Sequence, residues 1–352
     1  MPIESSLVAG LRDRYGIRFT EPLPGHLYGV KKLIDPMAEV LNKPEISIDQ
    51  MGQPAHGFLK NPLTDEQKKA VNDTLGPIYA QESVQFQERL ANLPIEESGE
   101  KMVSLVERLS RAGSPRVSFS DKPFHPASLN GWAGKPRVFW VRETVADKLV
   151  SAATALNEVG IMPHFEDGFR PIGVQEGLLK RRVQEIIIPA HPDWDPVDDF
   201  EKIMTEAQSK TAIKPVFAGH KGGAAVDLTL RTLDGIPLPL GNEYPQGDAL
   251  VNLDCPYVTR EEWKTRQVFK NIMLLVGMNP YPGEDWHGSF GDNLAGANPD
   301  GSPKDGYVAQ YGPIKGFDPQ TGEIEPYHPA DYHRPFFSRE ELQALAVRAK
   351  QP

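Results

Sequence analysis

The run Ala224-Ala225-Val226-Asp227-Leu228 sets a carboxylate inside an apolar, strand-forming stretch, and that residue narrows the folds open to the chain. An ionised carboxylate withdrawn from water is costly to bury unless something positive compensates it. The strand must therefore run beside such a group. His220 stands seven residues upstream on the turn Gly219-His220-Lys221-Gly222-Gly223, whose glycines let the backbone bring the imidazole back over the strand. A metal ion shared by His220 and Asp227 would supply the compensation, and zinc accepts both imidazole nitrogen and carboxylate oxygen.

Two further segments fit the same chemistry. In Glu284-Asp285-Trp286-His287, His287 can supply a third ligand while Glu284, three residues earlier, approaches without ligating. Zinc lowers the pKa of a bound water to about 7, and a nearby carboxylate can take its proton. In Asp167-Gly168-Phe169-Arg170-Pro171, a guanidinium at a strand end can hold a carboxylate or a tetrahedral oxyanion. Taken singly, each segment has a structural explanation: an ordinary turn, a surface Glu-x-x-His, and an arginine paired with Glu166 or Asp167. Their joint occurrence carries the functional reading.

In this order the three segments resemble the M15 metallopeptidases, and within them the D-alanyl-D-alanine dipeptidases. The resemblance extends to Ile236-Pro237-Leu238-Pro239-Leu240-Gly241 and covers roughly half the chain, from near Ser128 to His287. It implies zinc bound by His220, Asp227 and His287, with Glu284 as general base and Arg170 stabilising the transition state. The substrate it implies is a small peptide, D-alanyl-D-alanine or a related dipeptide of D-amino acids, of the kind found in peptidoglycan. Three departures bear on specificity. Ala218 stands where the family has serine. Pro245 stands where it has the acid that grips the substrate's free amino group, leaving Glu243 or Asp248 as substitutes. Asp285 interrupts the usual Glu-Trp-Trp-His. Trp286, between base and ligand, is a candidate to line the site.

The expected fold is α+β: a small antiparallel sheet flanked by helices, because helices and strands alternate without a regular βαβ repeat. Residues 1–115 are expected to form a mostly helical extension and 116–352 the catalytic domain, with a long loop or lid from about 288. Thr64 opens a helix with Gln67 in capping-box position, Gly76-Pro77 should break or kink it, and Gly99 to Ala112 reads as another helix. Ser338 should cap a final short helix.

Composition excludes more than it assigns. A formal charge of −10 with no Lys/Arg cluster argues against nucleic acid as a partner. One cysteine, Cys255, allows neither an intrachain disulfide nor a cysteine zinc site. No apolar run is long enough to span a bilayer, and Met1 to Ser6 lacks a signal-peptide pattern, so a soluble cytoplasmic protein is expected. His328 and His333, in a proline-rich loop, read as exposed; His164 reads as structural. The glycine turn at Gly219 to Gly223 lacks the Walker ending and leads into a strand, against a phosphate loop. The rival readings are a D,D-carboxypeptidase or amidase on a longer peptide, a zinc-retaining binding protein without turnover, and a purely structural zinc. Two histidines and one acid, with no fourth protein ligand evident, favour an open site over the last of these.

Overall fold

The computed structural model describes residues 59–350 apart from 60, 114, 123–136, 218, 254, 256, 299 and 300. Of the positions singled out above, Met1 to Ser6, Ser128 and Ala218 lie outside the described residues.

Helix α1, Asp65–Ala91, opens with the Thr64/Gln67 capping box and contains Pro77 without interruption. The expected break does not occur. Proline in a helix interior costs about 3 kcal/mol. Val71, Tyr79, Phe86 and Leu90 of the same helix are buried against Leu250, Tyr257 and Tyr281, each contributing roughly 1.5–3 kcal/mol. Tertiary burial on both sides of the proline outweighs the lost hydrogen bond. Gly99 to Ala112 also departs from expectation. Met102–Ser104 is strand β1, and helix α2 is confined to Leu105–Arg111, because Ser104 caps it at Glu107 N.

The central sheet is built from β2 (Ser118–Phe119), β4 (Ile161–Asp167), β5 (Ala225–Thr232), β6 (Asn279–Pro280) and β7 (His287–Ser289), in the order β2-β4-β5-β7-β6. Strand β3, Trp140–Arg142, pairs instead with β1. All neighbours in the sheet are antiparallel except β2 and β4. The expected antiparallel sheet therefore carries one parallel pair at its edge. Parallel neighbours need a crossover, and helix α3, Glu143–Glu158, lies within that connection.

Helix α3 buries Val145, Ala146, Leu149, Ala152, Ala153 and Leu156, a 3–4 residue spacing that forms one apolar stripe. With helix α6, Arg260–Leu275, it packs on the sheet in one core that includes Phe165, Val226, Leu228 and Phe269. A second apolar cluster joins helix α4 (Ile172–Arg181), the π-helical turn Arg182–Ile187, helix α5 (Phe200–Lys210) and the closing helix α7 (Arg339–Ala349). Ser338 caps α7 as its sequence predicts.

The stretch after His287 is more structured than a loop. Strands β8 (Ile314–Phe317) and β9 (Ile324–Pro326) form a hairpin, and Tyr311 and Ile314 are buried. Its turn is tied back to β1 where Met102 N donates to Gly322 O, at 2.9 Å. Glycine and proline spacing hides the hairpin in the sequence, because the buried residues are few and widely separated. No helix among the described residues is long and apolar enough to cross a membrane.

Arg266 of α6 is fully buried and fixes the long connection after β5. Its Nε, Nη1 and Nη2 donate to the carbonyls of Leu240, Asn252 and Leu250, each at 2.8 Å. Nη2 also lies 3.2 Å from Asp285 Oδ2. Replacing Arg266 by Met should destabilise the protein by about 3–5 kcal/mol, since it strands a buried carboxylate. The exposed Arg111→Met should cost almost nothing. Urea unfolding of both variants checks this, and equal midpoints would refute the anchoring role of Arg266.

Candidate metal centre and cleft

Sheet register assembles the site. Asp167 at the end of β4 stands opposite Asp227 on β5, and Asp227 stands opposite His287 on β7, so three adjacent strands present functional residues side by side. His220 comes from the 3-10 turn Gly219–Gly222 just before β5. Gly223 completes the turn at φ +68°, and a Cβ there would stand 2.4 Å from Met102 Sδ. Gly168 is required for a different reason: its Cβ would meet the Val138 carbonyl oxygen at 2.7 Å.

The three side chains converge. Asp227 Oδ1 lies 3.2 Å from His220 Nε2 and 3.1 Å from His287 Nδ1, and the two imidazole nitrogens are 3.2 Å apart. All three residues are buried, and they form the one group of three or more His, Cys, Asp or Glu among the described residues that could hold a metal ion. Donors on one tetrahedral zinc, each roughly 2.0–2.2 Å from it, stand about 3.3–3.6 Å apart. The observed separations fall just short of that spacing, and the two-nitrogen, one-oxygen donor set suits the ion.

Each ligand is oriented by a second contact. His220 Nδ1 donates to Gly168 O at 2.8 Å, which turns Nε2 toward the centre. His287 Nε2 is 3.1 Å from Ser289 Oγ, and behind Ser289 lies the buried Asp292. The Tyr244 hydroxyl donates to Asp227 Oδ2 at 3.1 Å, leaving Oδ1 for the imidazoles. Such outer partners fix tautomer and ring orientation at metal sites. Burial by itself would push the Asp227 carboxyl up, but the charges and hydrogen bonds of His220 and His287 hold it well below its usual range. For His287 burial again opposes charge, and Asp227 and Glu284 more than offset it, raising the imidazole.

The remaining candidates take distinct positions. The Glu284 carboxylate lies 3.6 Å from His287 Nδ1. Arg170 pairs with Asp167 through Nη2 (2.8 Å) and Nε (3.1 Å), and its Nη1 donates to Gln175 Oε1 at 3.2 Å. Its guanidinium is also 3.7 Å from Asp227 Oδ2, so the pairing with Asp167 and the approach to the centre coexist. Trp286 is buried, edge-on to Tyr244 at 5.1 Å between ring centroids. Glu243 is exposed and does not line the cleft, whereas Asp248 does.

These residues open into a cleft of about 540 Å³. Arg170, His220, Asp227, Glu284, Trp286 and His287 line one part of it, and the π-helical turn, the end of α5 and the 244–248 segment line the rest. Gln87 of α1 also reaches the cleft, held by Tyr281 OH at 3.3 Å. No motif marks Gln87, Ser289 or Asp292. Tyr244 had one signal, its place beside the departure at Pro245.

Residues read as structural are placed so. His164 is buried 2.8 Å from Ser118 Oγ and away from the cleft, and burial, then Arg231 and Arg137, lower its imidazole to about 4. Burial pushes the Cys255 thiol up to about 11. His328 and His333 are exposed and belong to no metal-holding group.

A buried His-Asp-His group that could hold a metal ion, with a carboxylate and an arginine beside it, thus opens into one cleft. Residues 133–304, which contain all five of these side chains, match the M15 peptidase family, described as D-ala-D-ala dipeptidase. A D-alanyl-D-alanine dipeptidase of Synechocystis sp. is 27% identical over 200 residues, an alignment covering 48% of this chain and 77% of that protein. The resemblance carried by the motifs is thus shown.

If Ser289 and Tyr244 orient the ligands, Ser289→Ala and Tyr244→Phe should each weaken metal binding by about 10–100-fold. Competition against a chromogenic chelator measures this, with Glu243→Ala as the unaffected control. Unchanged affinity in both variants would remove the orienting role.

Proposed function

We propose that the protein is a zinc-dependent dipeptidase that hydrolyses D-alanyl-D-alanine or a related dipeptide of D-amino acids. The observation that carries this reading is the convergence of His220 Nε2, Asp227 Oδ1 and His287 Nδ1 to within 3.1–3.2 Å of one another, facing a cleft shared with Glu284 and Arg170. His220, Asp227 and His287 would hold the ion, which when bound supplies Lewis acidity toward a carbonyl oxygen and a water.

The chain's own groups account for the rest. The Glu284 carboxylate takes a proton from the attacking water and delivers it to the amine nitrogen as the C–N bond breaks. The Arg170 guanidinium stabilises negative charge developing on the carbonyl oxygen. Burial opposes its charge, but Asp167 and Asp227 outweigh burial and keep it protonated. Trp286 supplies an apolar wall that holds the peptide against these groups. Peptidoglycan peptides are the natural source of a D,D-bond.

A second reading, a D,D-carboxypeptidase acting on longer stem peptides, is favoured by one observation. Pro245 lines the cleft where the family carries the acid that grips a free amine. Wild type and Glu284→Ala, both reconstituted with zinc, separate the possibilities. Near-stoichiometric zinc in both is expected, with D-alanyl-D-alanine hydrolysis reduced by about 10²–10⁴-fold in the variant. Zinc with cleavage of a stem pentapeptide but not the dipeptide would select the carboxypeptidase. Failure to retain metal after reconstitution would overturn both.

A further inference from the structure

Beyond the His220, Asp227 and His287 group, the cleft has a cationic wall that the reaction above does not use. Arg182 is the first residue of the π-helical turn, and Lys210 is the last residue of α5; both line the same cleft as Glu284. Short π-helical insertions recur at functional sites. The neighbouring Arg181 is satisfied by Glu185 at 3.1 Å. The Arg182 guanidinium, by contrast, has no hydrogen bond or ion pair among the described residues. It lies beside Gly247, where a Cβ would come within 2.7 Å of Nη2 and 3.2 Å of Nη1. Lys210 Nζ makes one hydrogen bond, to the backbone oxygen of Asp248 at 3.0 Å, leaving two of its three protons unassigned.

Two cations set together behind apolar side chains are unfavourable without an anion. Leu178, Ile186 and Phe217 line the same cleft. Burial lowers the Arg182 guanidinium and pulls Lys210 down to about 8, and in each case the Glu284 charge only partly offsets this. No described carboxylate lies within ion-pair distance of either. Arg170 is already held by Asp167, so the cleft contains one committed arginine beside the metal centre and two cationic groups with donors to spare. A guanidinium fork next to an ammonium matches a carboxylate, which accepts two parallel N–H bonds from arginine and a third from lysine.

We infer that Arg182 and Lys210 form a carboxylate-binding wall that holds the free C-terminal α-carboxylate of the peptide. This rests on the reading that the cleft takes a peptide. It places recognition on the carboxyl end of the substrate, at the opposite terminus from the amine whose acid partner is replaced by Pro245.

The test uses zinc-loaded Glu284→Gln protein, in which the probes are not consumed, and titration calorimetry with D-alanyl-D-alanine and its C-terminal amide. The acid should bind about tenfold or more tightly than the amide, as expected for charge-assisted hydrogen bonds. Adding Arg182→Gln or Lys210→Met should bring that ratio toward one while leaving amide affinity nearly unchanged. Because acid and amide are compared within each variant, partial misfolding cannot create the effect. Steady-state kinetics with Glu284 intact supply a second readout: the variants should raise KM for the acid alone. Residues that only tune Glu284 would change kcat alike for both substrates, which would overturn the assignment. So would an acid-to-amide ratio near one in the parent, or a ratio retained in both variants. Preferential acid binding without turnover in wild type would sink the dipeptidase reading and leave the wall standing. Equal turnover of acid and amide would do the reverse, and no binding of either probe would overturn both.

Discussion

The structure turns on the cost of burying Asp227. A carboxylate in β5 that is 3% exposed has little access to bulk water, and the groups bonded to it keep it charged. Two imidazoles face one of its oxygens and a tyrosine hydroxyl binds the other. The groups that compensate it come from distant parts of the chain, and strand register brings them together. Burial competes with charge at this residue, and the paired histidines decide the outcome. An apolar residue at that position would remove both the cost and the reason for His220 and His287 to face each other.

Much of this centre was legible in the sequence because its chemistry is concentrated in and around the strands. Asp167 and His287 sit at strand ends, His220 on a glycine turn and Asp227 inside an apolar run, and unusual polar residues stand out in such places. Helix starts at Thr64 and Ser338 were legible for the same local reason, since a cap bonds within three residues of itself. What stayed hidden depends on packing between distant elements. Pro77 reads as a breaker because the sequence does not reveal that Phe86 and Leu90 will be buried farther along. Ser289 and Asp292 carry no motif; Ser289 matters because it stands two residues after His287 on the same face of β7 and reaches its Nε2, and Asp292 because it lies behind that hydroxyl. Arg182 and Lys210 are ordinary surface-type residues until α4, the π-helical turn and α5 fold over the end of the sheet.

The cleft has a divided electrostatic layout. Carboxylates and imidazoles gather at the strand ends, where Arg170 lies between Asp167 and Asp227 and Glu284 stands beside His287. Cationic groups gather on the helical side, with Lys210 and Arg182 in the field of Glu284. A ligand lying across the cleft meets mixed charge at the strand ends and two cationic groups on the helical side. Such an arrangement orients a dipolar molecule before any close contact forms, because the reversed pose would set like charges together. Gln87 and Tyr281 complete the surroundings without charge, so α1 contributes to the cleft as well as to the core.

The way Arg266 secures the 240–252 connection has an evolutionary consequence. The arginine grips Leu240, Leu250 and Asn252 only through their backbone carbonyls. Every amino acid offers the same carbonyl, so the hold is indifferent to which side chains the connection carries. Positions 243, 245 and 246, between the gripped carbonyls, can therefore change identity without loosening the segment from the helix beneath it. Ligand preference can drift along this stretch under selection while the metal centre and the fold stay where they are.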